Sequence, residues 1–141
     1  MLSWIVGMIV RRRVDVMNQG DIRPTLRSFA KDAVLRFPGD NSWSGEYRGR
    51  GEIEAFLQRF VDTGLKIHIV DVVAKGSPWN TTVCVHLTDH LATPAGERVY
   101  ENSVVLYARG RWGKIVDQED FLDTQRVAKL DEWLEAHGKT A

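Results

Sequence analysis

The chain has 141 residues, the length of one ordinary domain, and 43% of them are hydrophobic, which is enough for a buried core. Nineteen basic residues balance nineteen acidic ones, which argues against a nucleic-acid-binding protein, because such proteins carry an excess or a stripe of positive charge. The single cysteine, Cys84, excludes an internal disulfide, and four scattered histidines without a CxxC motif indicate no metal site.

The first ten residues, MLSWIVGMIV, are apolar. They are too short to span a bilayer, which needs about 20 residues, and no basic residues precede them as they would in a signal peptide. We interpret them as the first half of an amphipathic helix over about 3–18 that packs on the domain, with arginines 11–13 on its solvated face. The sequence therefore predicts a cytoplasmic protein with neither a membrane nor a nucleic acid as partner.

Three further helices and one run of strands follow. A short helix is predicted over about 22–30, and a clear amphipathic helix over about 50–63, where apolar residues recur with i, i+3, i+4, i+7 spacing. Residues 66–121 are rich in β-branched residues and are broken by short Gly and Pro turns, which predicts an antiparallel meander. An amphipathic helix over about 124–137 closes the chain.

Helices that come first and strands that come later indicate an α+β fold, with residues 1–141 as a single domain. A curved antiparallel sheet covered by helices on one face leaves a cavity between the two layers. Concave, mostly apolar cavities with a few polar groups are the usual sites for small ligands.

The stretch WGKIVDQEDFLD carries four carboxylates around the end of the last strand. Because side chains alternate along a strand, Gln118 and Asp120 share one face, whereas Asp117 and Glu119 share the other. Periodicity does not decide which face is the inner one, and a slip of one residue would exchange them. Asp123 lies beyond the strand and is well placed to cap the last helix.

Three stretches resemble the SnoaL-like branch of the nuclear transport factor 2-like superfamily: NQGDIRPTLRSFAKDAVLRFPG, YRGRGEIEAFLQRF and GERVYENSVVLYARGRWGKIVDQEDFLD. This superfamily includes ketosteroid isomerase, scytalone dehydratase, limonene epoxide hydrolase and the SnoaL polyketide cyclases. The resemblance implies a cone, in which a curved antiparallel sheet wraps around the N-terminal helices and holds a pocket in its mouth. It also implies a homodimer formed through the outer face of the sheet.

The segment EDFLD is similar to the pattern RDYFD at the end of the last strand of the epoxide hydrolases, where the first aspartate is catalytic. The resemblance implies that Asp120 points into the cone, with Gln118 beneath it. A carboxyl group in an apolar pocket has a raised pKa and can act as a general acid or base near neutral pH. The alternative is a buried aspartate that pairs with an arginine or caps backbone groups.

Other residues could complete the pocket. His86 could relay a proton with the catalytic aspartate, although a lone histidine in a strand is more often structural. Asn102 could donate a hydrogen bond to an oxygen of the substrate or serve only the strand. Tyr100, which shares its face, and Gln118 are further candidates for substrate binding. Trp43 and Tyr47, in a glycine-rich loop, could wall the pocket.

The chain also departs from these relatives. Phe37 stands before Pro38, where ketosteroid isomerases carry their catalytic aspartate. The strand VHLTDH lacks the arginine of the epoxide hydrolases, and Leu35 is apolar near the place of one of their water-positioning residues. Of Asp89 and His90, which lie nearer the turn of that strand, one is expected to be exposed.

Three functions stay open. The first is a small enzyme without metal or other cofactor that performs acid–base chemistry, of isomerase, cyclase, dehydratase or hydrolase type, on an apolar, oxygenated small molecule. The second is a non-catalytic protein that binds a small ligand. The third is a protein-interaction module, which predicts a filled cavity and an exposed apolar patch outside the dimer contact.

Overall fold

The computed structural model describes residues 1–138, so the last three residues of the predicted domain, 139–141, lie outside the described residues. The described residues form four helices and six strands. In chain order they are α1 (Leu2–Asn18), α2 (Arg23–Arg27), β1 (Phe29–Phe37), β2 (Gly45–Arg48), α3 (Gly49–Thr63), β3 (Lys66–Ser77), β4 (Asn80–Ala92), β5 (Arg98–Arg111), β6 (Lys114–Leu122) and α4 (Thr124–Ala136).

The six strands form one curved, open sheet in the order β2-β1-β6-β5-β4-β3. Strands β3 to β6 form an antiparallel meander, and β2 is antiparallel to β1. Strand β1 runs parallel to β6, with Val34 opposite Asp117. The α+β class is therefore confirmed, but the sheet is mixed rather than wholly antiparallel, because the long connection through β2, α3 and the meander brings β6 back beside β1 in the same direction.

Helix α1 is fixed at both ends to the edge strand β3. The Ser3 hydroxyl accepts a hydrogen bond from the Ala74 N–H (2.9 Å) and donates one to the Ala74 carbonyl (3.1 Å). At the other end, the Asn18 side chain donates to the Ile67 carbonyl (2.8 Å) and accepts from its N–H (2.9 Å). These bonds satisfy edge-strand groups that would otherwise be unpaired. They also hold α1 alongside β3.

Helix α2 is shorter than the predicted helix over 22–30. It ends at Arg27, because the chain enters β1 at Phe29, whose side chain is buried in the main core. The helix propensity of residues 28–30 is outweighed by the burial of the Phe29 ring and by the pairing of β1 with β6.

The most tightly packed core lies beneath α3 and α4. Helix α3 ends where Gly64 adopts a left-handed conformation (φ 96°), which a residue with a side chain rarely takes. Five side chains at this core are almost completely buried: Phe29, Leu35, Ile53, Val127 and Leu134. No helix within residues 1–138 is both long and apolar enough to cross a membrane.

Asp123 caps α4, as predicted. Its carboxylate accepts hydrogen bonds from the backbone N–H groups of Gln125 (3.0 Å) and Arg126 (3.3 Å). We expect Asp123→Ala to lower the free energy of unfolding by about 1 kcal/mol, because two helix N–H groups lose their partner. Asp123→Asn keeps a hydrogen-bond acceptor, so its free energy of unfolding should fall clearly less. Chemical denaturation of the three proteins measures the difference, and an alanine variant as stable as the parent would contradict the prediction.

Candidate functional site

A cavity of about 540 Å³ lies between the concave face of the sheet and the helices α1, α3 and α4. Its walls are mostly aliphatic and aromatic side chains. Polar side chains also line it, among them those of Thr25, Trp43, Asp89, Tyr100, Gln118 and Asp120. They come from several elements and loops that are far apart in the sequence, so tertiary packing brings them together.

Asp120 lies in this cavity and is only 5% exposed. The pKa of its carboxyl group is raised to about 7, mainly by burial and to a smaller extent by the charges of Asp89 and Glu119, against the opposing effect of a hydrogen bond from Gln118 Nε2 (3.1 Å). No described residue forms an ion pair with it, although Arg13 also lines the cavity.

The opposite face of β6 carries the other two carboxylates. Asp117 forms ion pairs with Arg36 and, at 3.5 Å, with Arg109, and Glu119 is exposed. The pairing with arginine that was the alternative role for Asp120 is therefore made by Asp117 instead. The alternation of β6 fixes this division, because residues two apart share a face.

Asp89 is the polar residue of the cavity that sequence reasoning missed. It is 7% exposed, and burial raises its pKa to about 7, while its own backbone N–H and the Tyr100 hydroxyl oppose the rise. No described group donates a hydrogen bond to its Oδ1. The signal for it was present in the sequence, because Asp89 continues the inward series of Val85 and Leu87 along β4.

Tyr100 and Asn102 are neighbours on the inner face of β5, but only Tyr100 lines the cavity. Burial, followed by the charge of Asp89, raises the pKa of the Tyr100 hydroxyl well above its usual range. Asn102 Nδ2 donates to the Tyr100 hydroxyl (3.0 Å) and to the Asp123 carbonyl (2.9 Å), and its Oδ1 accepts from the Ser103 N–H (2.9 Å). The expected hydrogen bond from Asn102 to a substrate oxygen is therefore corrected: Asn102 holds Tyr100 in place.

The expected partnership of His86 with Asp120 also needs correction. His86 is exposed on the outer face of β4, where its Nε2 lies 2.9 Å from Ser103 Oγ. Its neighbours Val85 and Leu87 are buried. Alternation along the strand therefore turns the histidine away from the cavity.

Trp43 forms part of the cavity wall, whereas Tyr47 does not. The Trp43 ring is 2% exposed, and the Arg59 guanidinium lies 3.8 Å from the ring centroid. Tyr47 packs on Phe56 (4.7 Å between ring centroids), and its hydroxyl donates to the Trp43 carbonyl (2.6 Å). The expectation that both aromatics wall the pocket is thus corrected for Tyr47, which supports the loop that carries Trp43.

Three buried side-chain polar atoms in the described part of the chain lack a hydrogen-bond partner, and all three belong to residues that line the cavity. They are Thr25 Oγ1, Trp43 Nε1 and Asp89 Oδ1. Buried polar atoms are rarely left unpaired in a folded protein, so each calls for an explanation. Among residues 1–138, no three His, Cys, Asp or Glu side chains converge as metal ligands.

The comparisons with known proteins agree with the fold. A family model described as a SnoaL-like domain matches residues 10–118. No curated protein shows significant similarity to the chain.

Solved structures give the fold. A nuclear transport factor 2-like protein of unknown function from Burkholderia pseudomallei is 18% identical, with a TM-score of 0.68 over 91% of this chain and 93% of its own. TerC, co-crystallised with polyporic acid, is 21% identical, with a TM-score of 0.71 over 89% and 96%. SalBIII, an epoxide hydrolase/cyclase-like enzyme of pyran ring formation in the polyether salinomycin, is 19% identical, with a TM-score of 0.66 over 85% and 92%.

The raised pKa of Asp120 makes stability depend on pH. Between about pH 4 and pH 7 the carboxyl group is ionised in the unfolded chain but still protonated in the folded one, so stability falls as the pH rises through this range. We expect Asp120→Asn to be more stable than the parent at about pH 8, by up to about 4 kcal/mol, and to gain little at about pH 4.

Chemical denaturation at several pH values checks this prediction. Glu119→Gln is the matched control, because it makes the same chemical change at the exposed neighbour. Equal effects of the two substitutions at about pH 8 would contradict the burial argument.

Proposed function

The chain belongs to the SnoaL-like domain family, and we propose that it is an enzyme that transfers protons within a small molecule held in the cavity, without a cofactor. The observation that carries this proposal is the pair of buried carboxyl groups, Asp89 and Asp120, each with a pKa raised to about 7. Strongly shifted ionisable groups in a cleft are typical of catalytic sites.

Two interacting carboxyl groups titrate as a pair. Near neutral pH the pair therefore holds about one proton, so one member is a carboxylate and the other a carboxylic acid. The carboxylate accepts a proton from the substrate, for example from a carbon next to a carbonyl or from a hydroxyl group. The carboxylic acid donates a proton to the substrate oxygen on which negative charge develops. The pair ends with the same number of protons, so one arrangement suits isomerisation, aldol-type cyclisation, dehydration and epoxide opening.

Neighbouring side chains support these roles. Gln118 fixes the orientation of the Asp120 carboxyl through the hydrogen bond to Oδ1. Tyr100, held by Asn102, is a neutral hydroxyl group whose one proton can be donated either to Asp89 or to a substrate oxygen. We assign Gln118 to positioning and Tyr100 to substrate binding.

The walls favour an apolar, oxygenated substrate. The volume of about 540 Å³ falls within the range of about 300–1,000 Å³ that is usual for small-molecule sites. Trp43 Nε1 and Thr25 Oγ1 can pair with oxygen atoms of a ligand, which explains why they lack protein partners. Polyporic acid, with which TerC was crystallised, and the pyran ring that SalBIII helps to form suggest oxygenated ring compounds as the first to test.

A non-catalytic ligand-binding protein is the second candidate. Leu87 stands in the strand where the epoxide hydrolases have an arginine, so the full set of that reaction is not present. The third possibility, a protein-interaction module, is less well supported, because it predicts a filled cavity and this cavity is open.

We also propose a cytoplasmic homodimer that pairs through the outer face of the sheet. Large apolar side chains are exposed on this face, which supports the proposal. They are Val70, Val73, Val105, Tyr107 and Phe121.

Hydrogen–deuterium exchange into a panel of apolar ketones, together with turnover of apolar epoxides and enols, tests the chemistry even while the product is unidentified. Incubation in D₂O should place deuterium next to the carbonyl of any ketone that binds. We expect Asp120→Asn to lower the exchange rate by about 10²–10⁴-fold while ligand affinity changes little, because general acid–base catalysis contributes about that much.

His86→Ala is the control, because it removes a titratable side chain outside the cavity and should leave exchange unchanged. Binding without exchange or turnover across the panel would favour the ligand-binding alternative. Loss of activity in His86→Ala equal to that in Asp120→Asn would contradict the assignment of the carboxyl pair.

A further inference from the structure

The cavity opens at one end of the molecule. Its lining residues that are also exposed come from the first half of α1 and from two neighbouring hairpin turns, β3–β4 and β5–β6. They are Leu2, Ile5, Ile9, Gly76, Pro78, Gly113 and Lys114. We call this end of the cavity the mouth. Asp89 and Tyr100 lie near the opposite ends of their strands from these turns.

Two exposed tryptophans stand together at the mouth. Trp79, in the β3–β4 turn, is 60% exposed, and Trp112, in the β5–β6 turn, is 71% exposed. Their ring centroids are 6.1 Å apart. The backbone N–H of Trp112 donates a hydrogen bond to the Pro78 carbonyl (2.6 Å), which joins the two turns. Trp112 has a positive φ of 52°, which is uncommon for a large residue. The fold thus holds two large rings in solvent.

The first half of α1 adds a third tryptophan and several aliphatic side chains. The Ser3–Ala74 hydrogen bonds hold this half of the helix beside the end of β3, near the same turns. Trp4 is 67% exposed. Other apolar side chains exposed along this half of the helix are Leu2, Ile5, Met8 and Ile9. The family match begins at residue 10, so these residues lie outside the matched stretch.

The charge at the mouth has one sign. Segments 1–14, 75–81 and 110–114 contain three, one and two basic residues, respectively, and no acidic residue. The whole chain is balanced at 19 of each, so this end carries a local positive excess. On α1, Arg11 and Arg12 are exposed and follow directly after the exposed apolar residues.

We propose that the mouth docks on the surface of a lipid bilayer that contains anionic lipids. Tryptophan rings and aliphatic side chains enter the boundary between headgroups and acyl chains, where Trp is favoured, and the basic residues lie against the lipid phosphates. Such binding lies in the plane of the surface and needs no helix that crosses the membrane, so it departs from the sequence-based expectation of no membrane partner. The cavity then opens toward the lipid, so an apolar ligand can enter without passing through water.

A second copy of the chain fits this surface less well. Two mouths placed face to face would bring two sets of basic residues together, and like charges across a contact oppose association. An anionic lipid surface complements both the apolar and the charged parts. The inference does not depend on the proposed chemistry, because it concerns where the cavity opens and not what happens inside it.

Sedimentation of the full chain with vesicles tests the inference directly. The vesicles are phosphatidylcholine alone, or phosphatidylcholine with about 30% phosphatidylglycerol. We expect binding to the anionic vesicles that weakens as salt is raised, and weaker binding to phosphatidylcholine alone. Trp4→Gln combined with Trp112→Asn should reduce binding about tenfold or more, because two interfacial anchors are lost and asparagine tolerates the positive φ of residue 112.

A pair of charge variants supplies the matched control. Arg11→Gln with Arg12→Gln should weaken binding about 25-fold, from about fivefold for each charge near the lipid surface. Arg98→Gln with Lys129→Gln removes two exposed positive charges outside the three mouth segments and should change binding less than about twofold, because solution charges act over only about 10 Å. Thermal unfolding verifies that each variant is folded.

Three results would overturn the inference: no preference of the parent for anionic vesicles, equal weakening by the two charge pairs, or unchanged binding after loss of both tryptophans. Size-exclusion chromatography of the tryptophan variant identifies the competing explanation. If the parent ignores vesicles and the variant changes its oligomeric state, this end is a contact between protein copies rather than a membrane surface.

Discussion

The burial of two carboxyl groups against the concave face of the sheet is the constraint on which the cavity depends. Asp89 and Asp120 lack cationic partners among the described residues, so ionising both would leave unpaired charge in an apolar space. The folded chain avoids most of this cost by raising both pKa values, so that protons stay bound where water would remove them. A protein selected for stability alone would fill these positions with leucine. Their presence beside aliphatic walls is what makes a chemical role the better explanation.

The rest of the fold surrounds the cavity with two apolar clusters. The core beneath α3 and α4 contains the completely buried Ile53 and Leu134 and supplies most of the tightly packed apolar surface. A second, smaller cluster, centred on Val72, Val85, Leu87 and Val104, lies on the side where α1 covers the sheet. Both clusters contribute walls to the cavity: Phe29, Leu35 and Val127 come from the main core, and Val85, Leu87 and Val104 come from the smaller one. Hydrogen bonds from α1 to the backbone of the edge strand β3 add to the packing that holds this helix on the sheet.

Local patterns were sufficient for α1, α3, α4 and the meander, less so for the short helix α2, and much less so for the site. Amphipathic spacing identified α3, and resemblance to a family, rather than periodicity, chose the inward face for Asp120. His86 was selected for its chemistry, although the buried Val85 and Leu87 beside it already indicate that it points outward and that Asp89 points inward. The parallel pairing of β1 with β6 depends on a contact far apart in sequence, and the polar atoms left unpaired in the cavity depend on the final packing. Neither is visible in local sequence.

The mouth and the carboxyl pair are physically separable parts of one molecule. The chain has no net charge, yet basic residues gather around the mouth and two acids lie deeper in the cavity. None of the mouth's basic residues is among the groups that shift the pKa of Asp89 or Asp120, whose values follow mainly from burial. The charges that would meet a lipid surface therefore do not tune the groups that would move protons. Substitutions at the mouth can therefore change where the protein docks without changing the pKa values of the two carboxyl groups. Those values follow from burial, and the charges at the mouth are distant and screened by salt.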